Sequence, residues 1–151
     1  MIVPLEEMRS IIGHRFPGGT YRIEHWENFL MHDVMLVEQS PDNVAHPLYF
    51  FHLPIAGLGV TIQDIFALCR ADSPDAVRAG EYVWEIERPL REDRTYRVSG
   101  EVTDVVRKEG KRGGIMDLVT FVTEITDVTD GESNAPDARI SNMWIFLRSA
   151  A

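Results

Sequence analysis

Cysteine is almost absent from the chain, since Cys69 is the one cysteine among 151 residues. A single thiol excludes an intrachain disulfide and any zinc site built from cysteines. Cys69 lies in an apolar stretch, where a thiol usually behaves as a small hydrophobic group. This composition is typical of a protein in a reducing compartment.

Positive charge is also scarce, with 15 Lys and Arg against 24 Asp and Glu and a formal net charge of -9. Proteins that bind nucleic acid along a broad surface need clustered Lys and Arg, so we expect no nucleic-acid partner. Lys108, Lys111 and Arg112 form one basic turn. Such a cluster can hold the phosphates of coenzyme A, although a solvated hairpin has the same composition.

Long apolar runs are missing as well. The residues after Met1 show neither the basic segment nor the apolar segment of a secretory signal. The most apolar stretch, residues 57–69, is too short to cross a bilayer. We therefore expect a cytoplasmic protein without a membrane partner, and the length fits one domain over residues 1–151.

The first part of the chain has helical periodicity with one short strand. It predicts a helix that ends at Gly13, a strand through Tyr21, and an amphipathic helix from Trp26 to about Ser40. Residues 41–56 contain three prolines, which disfavour a long regular element. We expect there an irregular segment, rich in aromatic residues and histidines, that packs against the core or another subunit.

Residues 57–69 predict a buried helix, because their apolar positions fall on nearly every side of it. From about residue 82 onward the pattern alternates as in β-strands, with a bulge or bend expected at Gly100. The last strand, residues 139–148, is apolar on both faces and is predicted to lie inside the sheet. The expected class is α+β, with an antiparallel sheet wrapped around the central helix.

Several strand edges and turns carry a family resemblance. Residues 80–91, 96–102, 114–121 and 144–148 resemble the MaoC-like dehydratases, in particular their N-terminal, fatty-acid-synthase-type branch. The resemblance implies a hot-dog fold whose central helix is residues 57–69. It also implies a hydratase or dehydratase that interconverts trans-2-enoyl and 3-hydroxyacyl thioesters of coenzyme A or acyl carrier protein, with no cofactor.

The resemblance further implies a catalytic motif, Asp-x-Asn-x-x-His, just before the central helix. Asp42 and His46 are the matching residues, although Asn43 follows Asp42 directly and His46 comes one residue early. The carboxylate would activate water and the imidazole would exchange a proton at the α-carbon. His52 is a rival for the imidazole because it lies closer to the helix.

Small residues at the head of the expected helix complete the predicted site. Gly57 and Gly59 would let a thioester carbonyl approach, and the N–H groups of Gly59 and Val60 would stabilise its developing negative charge. The six-residue separation of His46 and His52 matches no established metal-ligand spacing, so we expect no metal.

Two other functions stay open. Some chains of this branch have lost the motif and form the substrate-tunnel half of a heterodimer, and the altered Asp42 to His46 spacing fits that alternative. A hot-dog thioesterase would need a carboxylate on the central helix, where Asp64 is present. In each case the apolar strands favour a homo-oligomer or a heterodimer with another hot-dog chain.

Overall fold

The strands of the computed structural model, which describes residues 2–111 and 114–148, form one five-stranded antiparallel sheet. The strands are β1 (Gly19–Ile23), β2 (Val77–Ile86), β3 (Arg94–Glu109), β4 (Ile115–Asp127) and β5 (Ala138–Arg148). Their order in the sheet is β1-β3-β4-β5-β2. The last strand therefore lies inside the sheet, as its two apolar faces predict, and β2 forms one edge.

Glycine shapes β3 differently from the prediction. Of the bulge or bend expected at Gly100, the bulge is wrong, because Gly100 pairs regularly with Thr123 and the register shifts between Val102 and Asp104. A Cβ at Gly100 would lie 2.6 Å from Cδ1 of Leu58. Gly100 is thus needed for close packing under Leu58.

Four α-helices are present in the described part of the chain: α1 (Leu5–Arg9), α2 (His25–Val34), α3 (Tyr49–Ala56) and α4 (Ile62–Leu68). Short 3-10 turns cover Pro41–Asn43 and Pro74–Ala76. Helix α3 lies against β3, β4 and β5, the middle of the sheet. The architecture is α+β, with helices packed on an antiparallel sheet, as predicted.

The helix predicted over residues 57–69 is shorter than expected. Gly59 has a φ of +77°, which ends any helix there, and α4 begins after Thr61, whose hydroxyl accepts the backbone N–H of Asp64. Within α4, Ile65 is buried, while Gln63 and Asp64 are exposed. Helix α4 is therefore a short helix that is buried on one side only. The apolar composition of residues 57–69 predicts more burial than the structure shows.

The buried helix is α3, inside the segment 41–56 that the prolines led us to expect as irregular. Tyr49, Phe50, Leu53 and Pro54 are buried on it. Pro47 precedes the helix and Pro54 lies near its end. Proline removes a backbone donor, so Pro54 breaks the helical hydrogen bond to the carbonyl of Phe50, yet the helix forms around it.

Helix α2 is also shorter than predicted, and its apolar stripe faces outward. A capping box between Glu24 and Glu27 starts the helix, and Met35 caps its end. Its buried residues are Asn28 and His32, whereas Trp26 and Val34 are exposed. The amphipathic pattern is thus real, but the polar side meets the protein core.

A buried ion cluster joins the distant parts of the chain. The Asp117 carboxylate, fully buried on β4, accepts hydrogen bonds from Arg107 (2.7 and 2.9 Å) and from Nε of Arg148 (2.8 Å). Arg148 also donates to the carbonyl of Cys69, and Arg107 to that of Val3. The cluster therefore fixes the C-terminal end of α4 and the N-terminal segment to the sheet.

Replacing Asp117 by Asn should strongly destabilise the fold. Burial alone raises the pKa of Asp117, but the hydrogen bonds and charges of Arg107 and Arg148 more than offset it and lower that pKa. Removing one partner of a buried ion cluster costs about 3–5 kcal/mol. Urea unfolding at pH 7 measures the free energy of unfolding of both proteins.

The same measurement at lower pH checks the cause. Because the folded-state pKa is depressed, the stabilisation is present above the unfolded pKa of 3.8 and is lost as the pH falls through the folded pKa. Asp130→Asn, which removes an exposed ion pair with Arg94, is the control and should cost less than about 1 kcal/mol. Equal stability of Asp117→Asn and wild type at pH 7 would contradict this account.

Candidate functional site

The loop that carries Asp42 and His46 is paired with the connection between β2 and β3. The N–H of Ala45 donates to the carbonyl of Leu90 (2.8 Å), and that of Glu92 donates to the carbonyl of Asn43 (2.9 Å). The Arg91 guanidinium binds the carbonyl of Asp42. These backbone contacts hold the loop in place before α3 begins.

A buried polar network beneath this loop positions His46. The Asn28 side chain donates to Glu92 Oε2 (2.9 Å) and accepts the backbone N–H of His46 (2.9 Å). Glu92 also pairs with Nδ1 of His25 at 2.9 Å, and its pKa is lowered, because hydrogen bonds from Asn28 and His25 outweigh the effect of burial. The buried Asn28 side chain of α2 thus anchors the loop that carries His46.

The His46 imidazole is held neutral near pH 7. Burial lowers its pKa, and the neighbouring His32 lowers it further. The two rings meet edge to face with centroids 5.0 Å apart. The backbone N–H of Leu48 donates to Nδ1 of His46 (3.1 Å), so the neutral ring carries its proton on Nε2.

The structure does not join Asp42 to His46. Asp42 is exposed and has a left-handed backbone with a φ of 56°. Among the contacts of residues 2–111 and 114–148, no hydrogen bond or ion pair links its carboxylate to either candidate imidazole. The predicted pair is therefore not assembled within this chain.

His52 belongs to a second group of polar side chains. Its Nε2 lies 3.2 Å from the Tyr21 hydroxyl, which donates to Glu27 Oε1 at 2.7 Å. Because the phenolic hydrogen is used on Glu27, His52 must donate through Nε2–H. Burial, followed by the hydrogen bond and charge of Glu27, raises the pKa of Tyr21, which therefore stays protonated.

Sequence reasoning does not single out Tyr21 or Glu27. Tyr21 is predicted only as a strand residue, and 31 positions separate Tyr21 from His52. The only sequence signal is the capping box itself, which places Glu27 at the start of α2.

The predicted glycines lie at a tight backbone crossing. A Cβ on Gly59 would lie 2.3 Å from the carbonyl oxygen of Gly18, and one on Gly57 would lie 2.5 Å from Cγ2 of Val98. The N–H of Gly18 donates to the carbonyl of Leu58 at 2.9 Å. This crossing explains both glycines by packing alone, and it places Val60 two residues before α4 begins.

Three other predictions concern residues away from the two histidines. Asp64 serves the cap of α4, where it accepts the N–H and hydroxyl of Thr61. Cys69 is buried, and burial raises the pKa of its thiol to about 12, as fits a structural thiol. In the basic turn, Arg112 lies outside the described residues.

The described residues contain no group of three or more His, Cys, Asp or Glu side chains arranged to hold a metal ion. Within the same residues, the helices are too short or too polar to traverse a bilayer.

Solved structures with the same fold are numerous. The ChsH1-ChsH2 complex from Mycobacterium tuberculosis matches with a TM-score of 0.71 and 15% identity over 97% of this chain and 92% of that chain. A MaoC-like dehydratase matches with a TM-score of 0.66 and 17% identity over 92% of this chain and 43% of that chain. The HadBC (3R-hydroxyacyl-ACP dehydratase) complex from Mycobacterium tuberculosis matches with a TM-score of 0.64 and 13% identity, over 89% and 96%.

No protein-family model matches the chain, and no curated protein matches its sequence. The structural likeness is therefore far stronger than the likeness in sequence.

The neutral state of His46 can be tested by titration. In NMR spectra of the ring Cε1–Hε1 group, the pKa of His46 should lie below 6.5. His32→Gln should raise it, since that change removes a neighbouring titratable ring, and the distant His14→Gln should leave it unchanged. A His46 pKa above 6.5 in the wild type would show that the ring is neither desolvated nor affected by His32 in this way.

Proposed function

Because the chain has the hot-dog fold of the MaoC-like dehydratases, we propose that it is a subunit of an enzyme acting on acyl thioesters. The reaction is the interconversion of trans-2-enoyl and 3-hydroxyacyl thioesters carried on coenzyme A or acyl carrier protein. The observation that carries this proposal is His46, a neutral imidazole held on an anchored loop directly before the buried helix α3. A neutral imidazole near pH 7 is suited to proton transfer.

The proposed chemistry divides the proton transfers between two groups. In hydration, the Asp42 carboxylate takes a proton from water as the water oxygen bonds to C3 of the enoyl group. His46, protonated by solvent to the imidazolium, gives its Nε2 proton to C2 and becomes neutral again, and the proton on Asp42 returns to the solvent. We assign the N–H groups of Gly59 and Val60 as the donors that stabilise the thioester oxygen.

One specific observation favours a second candidate, the non-catalytic half of a heterodimer. Asp42 makes no described contact with His46, and the space beside Gly59 and Gly57 is already filled by Gly18 and Val98 respectively. A partner chain would then supply the acid–base pair while this chain shapes the acyl tunnel. Two of the structural neighbours are named as complexes of two such chains.

A thioesterase receives less support. Its carboxylate would be Asp64, but that side chain accepts two hydrogen bonds from Thr61 at the start of α4. The hydrogen bonds also lower the pKa of Asp64, which makes its carboxylate a weaker base.

One assay separates these functions. The purified chain is incubated with crotonyl-CoA while the enoyl absorbance and the release of free thiol are followed. We expect hydration that falls by at least about a hundredfold in His46→Ala, the usual contribution of general acid–base catalysis. His14→Ala serves as the matched control and should keep wild-type activity. His14 lies in the segment between α1 and β1.

Each remaining outcome has a defined meaning. If His52→Ala is inactive while His46→Ala keeps its activity, the assignment of the catalytic imidazole to His46 is wrong. Activity that requires a second hot-dog chain carrying its own acid–base pair would support the tunnel subunit, and free thiol would support the thioesterase.

The exposed edge of the sheet favours an oligomer. Strand β2 is an edge strand, yet Val83, Trp84 and Ile86 on it are large and exposed. Exposed apolar edge strands tend to pair with another chain. We propose that β2 forms the contact with a second hot-dog chain, either identical or different.

Val83→Arg should disrupt this contact. If the wild type is a homo-oligomer by size-exclusion chromatography with light scattering, the variant should shift to the monomer mass, because a charge would be buried at the contact. Val106→Arg, a similarly exposed valine on the interior strand β3, is the control and should keep the wild-type mass. An unchanged mass for Val83→Arg would place the contact elsewhere.

A further inference from the structure

Strand β2 is one edge of the sheet, and its two faces carry different side chains. Tyr82 and Trp84 lie on the side that the helices cover. The Tyr82 hydroxyl accepts the Nε1–H of Trp144 (2.9 Å), and the Trp84 ring centroid lies 5.8 Å from that of Phe50 on α3. Because side chains alternate along a strand, residues 81, 83 and 85 point to the outer face of the sheet.

The outer face of β2 is an acidic stripe interrupted by one valine. Glu81, Val83 and Glu85 form this stripe, and all three are exposed. In the described part of the chain, β2 pairs with β5 on one side and with no strand on the other. The acidic stripe therefore lies where a strand of another chain would be added to the sheet.

The cations near the acidic stripe are engaged elsewhere. Arg78, the cation of β2, donates to two backbone carbonyls of its own segment. Arg139 is the residue of β5 opposite Glu85, but its guanidinium lies 3.7 Å from the Glu124 carboxylate. Among the ion pairs of residues 2–111 and 114–148, none includes Glu81 or Glu85. The stripe thus presents two carboxylates that no cation of the described residues neutralises.

A second copy of the chain would bring like charges together at this edge. An antiparallel pairing centred on Val83 places Glu81 opposite Glu85, and one centred on either glutamate places that residue opposite itself. A pairing centred on Tyr82 or Trp84 leaves glutamates of the two copies diagonal to each other. Like charges directly opposite are destabilising, and diagonal neighbours remain within reach of long side chains. Each copy also brings a formal net charge of -9.

The same edge is nevertheless suited to a contact. Val83, Trp84 and Ile86 are 47%, 39% and 47% exposed, which is unusual for an edge strand that stays unpaired. Charges that oppose pairing with an identical strand, beside apolar residues that favour pairing, select one partner over another. The charge of the edge therefore says what kind of strand it accepts.

We propose that β2 pairs with a different hot-dog chain, whose edge strand carries Lys or Arg opposite Glu81 and Glu85. The hot-dog class of the partner rests on the proposed function, whereas its charge rests on the acidic stripe. Opposite charges across the contact would speed association and fix the register of the two strands. The glutamates would at the same time disfavour a pair of identical chains.

Charge exchange within this chain supplies a defined probe. Glu81→Lys/Glu85→Lys gives the same fold a basic stripe, so it stands in for the proposed partner. A trace of fluorescent wild type is titrated with unlabelled wild type or with this variant, and sedimentation velocity measures both dissociation constants. We expect the variant to bind wild type at least about tenfold more tightly than wild type binds itself. High salt should reduce this difference, because it screens the charges.

Asp33→Lys/Glu38→Lys is the matched control. It changes the net charge by the same amount at exposed residues outside β2, so it should bind wild type no more tightly than wild type binds itself. Circular dichroism verifies that each variant is folded.

A second variant needs no lysine at the edge. Glu81→Gln/Glu85→Gln removes the repulsion between identical strands, so its self-association should be tighter than that of wild type by about threefold or more. This measurement also decides the question if the double lysine variant does not fold.

Several results would overturn the inference. One is self-association of wild type that is as tight as its binding to the double lysine variant. Another is equally tight binding of the Asp33→Lys/Glu38→Lys control, because net charge and not the edge would then be responsible. Absence of binding between wild type and the folded double lysine variant, or unchanged self-association of the double glutamine variant, would contradict it as well.

Failure of this inference and failure of the proposed function can be told apart. If wild type hydrates crotonyl-CoA but shows no preference for the basic stripe, the partner assignment is wrong and the activity stands. If the preference is found but neither wild type nor the mixture hydrates crotonyl-CoA, the partner assignment stands and the catalytic assignment to His46 fails.

Discussion

The fold depends on a charge that is kept out of water. Asp117 is fully buried on β4, and Arg107 and Arg148 neutralise it from the two neighbouring strands. An isolated carboxylate at this position would be prohibitively costly, so the three side chains must assemble together. Arg148 then uses its remaining donors on the carbonyls of Cys69 and Arg70, which end α4. The sheet thereby fixes where the helical half of the chain must finish.

This anchoring reaches the candidate site through backbone packing. In the turn before α4, Gly59 has no room for a side chain beside Gly18, and Gly57 has none beside Val98. That crossing in turn sets α3 across the middle of the sheet, and α3 brings His52 to Tyr21. Rigid placement of this kind is required of groups that transfer protons, since small displacements lower the rate greatly.

The strands and the fold class could be predicted from the sequence. The alternation of apolar and polar residues is a local pattern, so each strand shows it without reference to the rest of the chain. The first and last residues of the helices were harder to predict from the sequence. The apolar content of residues 57–69 suggested one long buried helix, but a single positive φ at Gly59 divides that stretch. The site was harder still. The contacts of His46 with His32 and of His52 with Tyr21 join residues 14 and 31 positions apart, and no local pattern encodes them.

Helix α2 shows why an amphipathic pattern alone does not reveal which side is buried. The usual expectation is that the apolar stripe faces the core. Here Asn28 and His32 face inward. Asn28 accepts the backbone N–H of His46, and His32 pairs with the carbonyl of Asn28 and the hydroxyl of Ser40. Burying these polar groups is tolerable only because each is hydrogen-bonded. The apolar stripe of Trp26, Leu30 and Val34 is then left on the surface, because the side of α2 that packs against the protein is the polar one.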